Sequence, residues 1–195
     1  MNDVTTTIPA AIREHVVRGS AAMNVLLIAG ASCLIALAAQ IAIPVPFSPV
    51  PLTMQPIAVL MIGAVLGSWR GAAAASLYLL EGFAGAPVFA QGHGGAAWLV
   101  GPTAGYLWSY PAAAWVAGWF SQRGWGSTRL RAICGMLAAL GVIYAGGWSW
   151  LAGFMGISAA FFAGVSNYIV PDILKIALAA AFLPEVEKLI ARTGE

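Results

Sequence analysis

The stretch AAMNVLLIAGASCLIALAAQIA, residues 21–42, contains no charged side chain, and only Asn24, Ser32 and Gln40 carry an amide or hydroxyl group. An apolar run of roughly 20 residues is the length of one helical crossing of a hydrocarbon core. Arg13 and Arg18 precede it, as basic residues precede a secretory signal. The apolar part of a signal, however, spans only about 7–15 residues. The run is therefore read as a retained first span behind a short cytoplasmic lead, residues 1–20.

The rest of the chain agrees with that solvent. Of 195 residues, 61% are hydrophobic and 8% charged, where a soluble domain carries roughly 25% charged residues. Mean hydropathy is +0.85. The length allows about six spans with short connections. The expectation is an all-α membrane protein: one integral membrane domain over 1–195, with a six-helix bundle over 21–190. A net charge of +2 is too small and too scattered for a nucleic-acid partner; membrane lipid is the expected surrounding. Cys33 and Cys134 lie in apolar runs and read as packing residues, with neither a disulfide framework nor a metal site.

Working outward from the first span, Ser32/Ala36 and Ala38/Ala42 place small residues at i,i+4, the spacing that lets membrane helices approach closely. They are candidates for internal packing or for a partner-docking face. Next comes Ile43-Pro44-Val45-Pro46-Phe47-Ser48-Pro49-Val50-Pro51-Leu52-Thr53, with four prolines in eight residues. Proline at that density excludes a helix interior and favours a stiff, extended strap. The spacing predicts further helices over 54–66, 72–83 and 106–120, a fifth from the Arg129–Arg131 region to about 145, and a sixth over 171–183. Residues 84–105 are glycine-rich, a composition that membrane depth tolerates only where backbone is buried in protein or lines a cavity. His93 stands in that outer stretch with no second candidate metal ligand near it in sequence.

Charge placement singles out one lysine. Arg13, Arg18, Arg70, Arg123, Arg129, Arg131, Lys188 and Arg192 all fall on one side of a six-span topology, and the positive-inside rule makes that side, with both termini, cytoplasmic. Of the nine basic residues, only Lys175 falls near the outer boundary. Pro171 suits the first helical position, and Asp172 and Lys175 at i,i+3 share a face of that helix. Ionisable residues inside a membrane normally face a bundle interior or cavity, so the pair is read as part of a ligand site. Glu81 comes to a similar level, as a second polar wall or as a hydrogen-bonded packing residue.

No catalytic chemistry stands out. Neither Lys175 nor Lys188 follows a glycine, so a phosphate-binding loop of the Gly-Lys-Ser/Thr type is absent. There is no His-Glu-x-x-His and no Gly-x-Ser-x-Gly. An intramembrane enzyme would have only Glu81, Asp172 and Lys175 to converge at one depth, so no catalytic residue and no cofactor is expected. A binding subunit energised by partners fits these absences.

The run from Ile43 to Thr53, continued by Met54-Gln55, resembles the first loop of the BioY family, the biotin-specific S components of energy-coupling-factor (ECF) transporters. Tyr78-Leu79-Leu80-Glu81-Gly82, Gly85-Ala86-Pro87-Val88-Phe89, Gly101-Pro102-Thr103-Ala104-Gly105-Tyr106 and Asp172-Ile173-Leu174-Lys175 are similar to its later motifs, in order. Ala86 and residues 167–170 depart from its usual pattern. The resemblance implies a six-helix S component in a bacterial or archaeal cytoplasmic membrane, capturing biotin at its outer face. It would pass the vitamin inward with a transmembrane coupling protein and two ATP-binding-cassette ATPases, which alone use ATP. Ser32, Ala36, Ala38 and Ala42 would face the coupling protein. Asp172 would accept from a ureido N–H of biotin and Lys175 would donate to the ureido oxygen. Gln55, Glu81 and the backbone of Gly94 and Gly95 would add polar contacts, and Phe47, Phe89 and Tyr106 would cover the ring and chain. The alternatives are an S component for another vitamin, and a solitary biotin transporter or small solute carrier without an ATPase module.

Overall fold

Among the described residues, three helices are long and apolar enough to cross a bilayer: Ala21–Gln40, Arg129–Met155 and the stretch Ile157–Ala181. The computed structural model describes residues 21–193, with side chains described as far as Ala181 apart from Ser127. The proposed lead with Arg13 and Arg18, and the side chains of Lys188 and Arg192, lie outside the described residues. The fold is a multi-pass all-α membrane bundle. In chain order its helices are α1 (Ala21–Gln40), α2 (Gln55–Leu66), α3 (Ser68–Phe83), α4 (Ala104–Ser121), α5 (Arg129–Met155), α6 (Ile157–Phe161) and α7 (Asn167–Thr193). Between α1 and α2 the chain forms a strap closed at its base by a two-residue antiparallel ladder. Strands β1 (Ala42–Ile43) and β2 (Leu52–Thr53) pair Ala42 with Thr53 and Ile43 with Leu52. The prolines lie in the arch above that ladder, where no inter-strand donor is required of them.

The core is made of close backbone approaches. Helix α4 sits centrally, packed on α2, α3 and α5, and buries Ala113, Ala114 and Ala117 along one stripe. A Cβ added at Gly63 of α2 would stand 2.2 Å from the Ala114 carbonyl oxygen, and one at Gly118 of α4 would stand 2.3 Å from the Ser68 amide nitrogen. Water supplies little drive between helices inside a bilayer, so van der Waals fit at such small residues holds them together. At the end of the bundle opposite the strap, the Ser68 hydroxyl donates to Gln122 Oε1 at 2.7 Å and joins α3 to α4. There Arg70 also donates to Asn24 Oδ1 through Nε and Nη2, at 3.1 and 2.9 Å.

Two sequence expectations are corrected. The fifth helix does not stop near 145; it continues through Gly146, Gly147 and Gly153 to Met155 and ends at Gly156, whose φ of 84° favours glycine. The sixth does not begin at Pro171. Helical backbone starts at Ile157, passes through a π-helical turn at Phe162–Ser166 and runs on as α7. Pro171 thus lies inside a helix, where it lacks the N–H that would bond the Asn167 carbonyl. The π turn at Phe162–Ser166, one helical turn before it, is the kind of irregularity that accommodates such a break. Asp172 and Lys175 therefore sit well inside a long helix, and the dipole of a helix start does not act on them.

Gly63→Ala is expected to force α2 and α4 apart and cost about 1–3 kcal/mol, read as a lower Tm of the protein in detergent. Gly30→Ala, where a Cβ meets nothing within 4 Å, is the matched control. Equal melting of the two variants would contradict this packing account.

Candidate functional site

Asp172 is only 4% exposed, and a carboxylate so buried persists as an ion only when it is paired and hydrogen-bonded. Both conditions are met. Lys175, one turn further along α7, brings its ammonium to 2.7 Å from Oδ1, and the Tyr144 hydroxyl of α5 donates to Oδ2 at 2.7 Å. The lysine makes a second bond, to the Thr53 backbone carbonyl at 2.8 Å. The ion pair thereby ties α7 both to α5 and to the base of the strap.

The strap is held at its tip as well. Ser48 Oγ donates to the Ala163 carbonyl at 2.7 Å, and the Tyr168 hydroxyl donates to the Val50 carbonyl. The Tyr106 hydroxyl donates to the Gly164 carbonyl at 2.8 Å. Both accepting carbonyls, Ala163 and Gly164, belong to the π turn. Its altered pitch is what offers them to partners outside the helix.

Beneath the strap lies a cavity of about 70 Å³ whose walls come from the strap, the glycine-rich connection, α2, α4, α5 and the α6–α7 region. Asp172, Gln55, Tyr110, Tyr144, Tyr168, Tyr106 and Phe89 are among its lining residues. Gln55 is 4% exposed and its amide is fixed on both sides. Its Nε2 donates to the Tyr78 hydroxyl, while Oε1 accepts from Tyr110 at 3.2 Å and from Thr53 Oγ1 at 3.3 Å. Phe89 packs edge-on against Tyr78 with ring centroids 5.5 Å apart. The result is an aromatic, mostly apolar chamber with one ion pair and one amide at fixed positions, the usual make-up of a small-molecule site.

The expected site residues divide between the cavity and its surroundings. Asp172, Gln55, Phe89 and Tyr106 line the cavity; Lys175 stands behind Asp172. Phe47 is fully exposed on the strap, with a φ of 65°. Glu81 lies outside the cavity, accepting from the buried Ser32 hydroxyl at 2.6 Å. Gly95 donates its N–H to the Gly82 carbonyl at 2.7 Å, and Gly94 is pressed against the Ala86 carbonyl, so this pair shapes the loop away from the wall. Of the four small residues in the first span, Ser32 is turned fully inward toward α3, Ala36 and Ala38 are half-buried, and Ala42 belongs to β1.

Tyr110, Tyr144, Tyr168, Ile143 and Trp98 also line the cavity, and sequence reasoning did not single them out. One signal was available: all five tyrosines of the chain sit in apolar segments, where each hydroxyl needs a partner.

Such a bundle, carrying a polar-tipped chamber at one end, is a membrane-embedded small-molecule binding protein. The chain belongs to the BioY family, whose model matches residues 10–192. It is 42% identical to a probable biotin transporter BioY from Pyrococcus horikoshii, over 81% of this chain and 92% of that one. It is 35% identical to a biotin transporter BioY from Rhizobium etli, over 77% and 84%. In fold it resembles the crystal structure of an S-component for biotin from an ECF-type ABC transporter. That likeness has a TM-score of 0.78 at 22% identity and covers 86% of this chain and 92% of that chain.

Lys175→Met would strand the Asp172 carboxylate in the interior, at a cost of about 3–5 kcal/mol. Asp172→Asn/Lys175→Met together remove both charges and should regain most of that loss. Thermal melts of the two single variants and the double variant measure the coupling. Strictly additive losses would show that the pair is not an energetic unit.

Proposed function

We propose that this chain captures biotin with high affinity and carries it across the cytoplasmic membrane as the substrate-binding S component of an ECF-type transporter. Membership of a family of transport proteins makes it a transporter and not an enzyme. The observation that carries the ligand reading is the Asp172 carboxylate at the cavity wall, with its charge already balanced by Lys175. A charge-balanced acceptor suits a neutral donor such as a ureido N–H better than it suits a cation.

Asp172 accepts from the ureido ring. The Gln55 amide faces the same chamber, and Phe89, Tyr106 and the flanking tyrosines cover the bicycle. Lys175 acts through Asp172 and Thr53, holding the acceptor and the strap in register. The whole chain forms a single membrane domain with six spans: α1, α2, α3, α4, α5 and the continuous stretch from α6 into α7. At about 1.5 Å per residue, α2 and α3 are short for a core of about 30 Å. Burial of α2 against its neighbours supports its place inside the bundle. With the arginine-bearing end cytoplasmic, the strap and cavity face outward and both termini face the cytoplasm, in a bacterial or archaeal cytoplasmic membrane. A transmembrane coupling protein and two ABC-type ATPases complete the transporter and use the ATP. Ala36 and Ala38 remain available on α1 for contact with the coupling protein.

Losing one buried charge-assisted contact costs on the order of 2–5 kcal/mol. Asp172→Asn and Lys175→Met are each expected to weaken biotin binding at least tenfold in detergent, measured by calorimetry. Unchanged affinity in a correctly folded Asp172→Asn protein would remove the basis for the site.

A further inference from the structure

A second space adjoins the cavity. A groove of about 470 Å³, formed by Pro49 of the strap on one side and Ala97, Trp98, Gly101, Pro102 and Thr103 on the other, lies beside it. Trp98 and Thr103 line both spaces. Its outer wall is fixed rather than loose: Trp108 Nε1 donates to the Leu99 carbonyl and Trp150 Nε1 to the Gly101 carbonyl, each at 2.9 Å. Among the described residues, no lysine, arginine or histidine lines the cavity or the groove. The His93 imidazole packs edge-on against Trp98 with centroids 4.2 Å apart, and its Nδ1 lies 3.2 Å from the Gln91 carbonyl.

We propose that the ligand's pentanoate tail leaves the inner cavity between Trp98 and Thr103 and lies in this groove. The protein therefore accepts, besides the free acid, biotin whose carboxyl is capped as an amide. This rests on the biotin reading above. The geometry follows from the polar ends. A ureido head bonded to Asp172 occupies the inner chamber, and the groove adjoins it across Trp98 and Thr103. A carboxylate there meets a tryptophan ring, two prolines, glycine, alanine and a threonine, and no cationic side chain that would distinguish it from an uncharged amide. The gain from an exposed ion pair is at most about fivefold in affinity. A groove without the basic partner forgoes even that. The implied substrate class is biotin amides, including the lysine conjugate released when biotinylated proteins are degraded.

The test is calorimetric titration of the purified full chain in detergent with biotin, its methyl amide and its ε-lysine amide. Amides binding within tenfold of biotin are expected; a loss greater than tenfold overturns the proposal. A wild-type protein that binds neither biotin nor the amides would refute the biotin reading itself, whereas tight biotin with excluded amides refutes only this extension. Two variants locate the tail. Ala97→Trp narrows the groove and should raise the ratio of the lysine conjugate's Kd to biotin's at least tenfold; an unchanged ratio overturns the groove assignment. His93→Ala should leave the amide-to-biotin ratio within threefold of wild type. A selective loss of biotin affinity in that variant would show that His93 reads the carboxylate, and the proposal would fail.

Discussion

The buried bond between Asp172 and Lys175 is the constraint on which the rest of this structure depends. A carboxylate and an ammonium inside an apolar helix are tolerated only if each is satisfied by the other and by further partners. The 2.7 Å contact between them supplies the first condition. Tyr144 and the Thr53 carbonyl supply the second. Because those partners come from α5 and from β2, meeting the needs of one charged pair fixes three separated parts of the chain. All three line the cavity, together with α2, α4 and the glycine-rich connection.

The π turn serves the same end from the other side. It lies just before Pro171 in the chain and offers the Ala163 and Gly164 carbonyls to Ser48 and Tyr106. The helix that carries the charges thus also carries the acceptors that hold the strap and α4. Elsewhere in the cavity wall, Gln55 is locked by Tyr78, Tyr110 and Thr53. Its amide, like the carboxylate, is presented in one orientation. Fixed polar positions inside an aromatic shell are the means by which small apolar-bodied ligands are distinguished.

Much of this could be read from the sequence, for identifiable reasons. The uncharged run in α1 announces a bilayer, and prolines 44, 46, 49 and 51 announce the strap. Asp172 and Lys175 stand out because charges are so scarce around them. Helix ends are poorly legible, since Gly146, Gly147 and Gly164 look like breaks by the standards of water. In a bundle they are packing surfaces: a Cβ at Gly147 would collide with the Tyr106 ring at 2.1 Å. Partners remote in sequence were also hidden. Tyr144 meets Asp172 across 28 residues and Lys175 meets Thr53 across 122, and no periodicity encodes those pairings. Phe47 and Glu81 lie in family motifs, and Gly94 and Gly95 between two of them, yet all four stand outside the cavity wall, because a motif records which residues recur and not which of them face inward.

The central claim is that this cavity is built for a neutral ureido ring. Its most direct test is calorimetry of the wild-type protein against a small panel of vitamins that includes biotin. The account predicts sub-micromolar binding of biotin and no comparable affinity for any other member. Tighter binding of a different vitamin, or no saturable biotin binding at all, would contradict it.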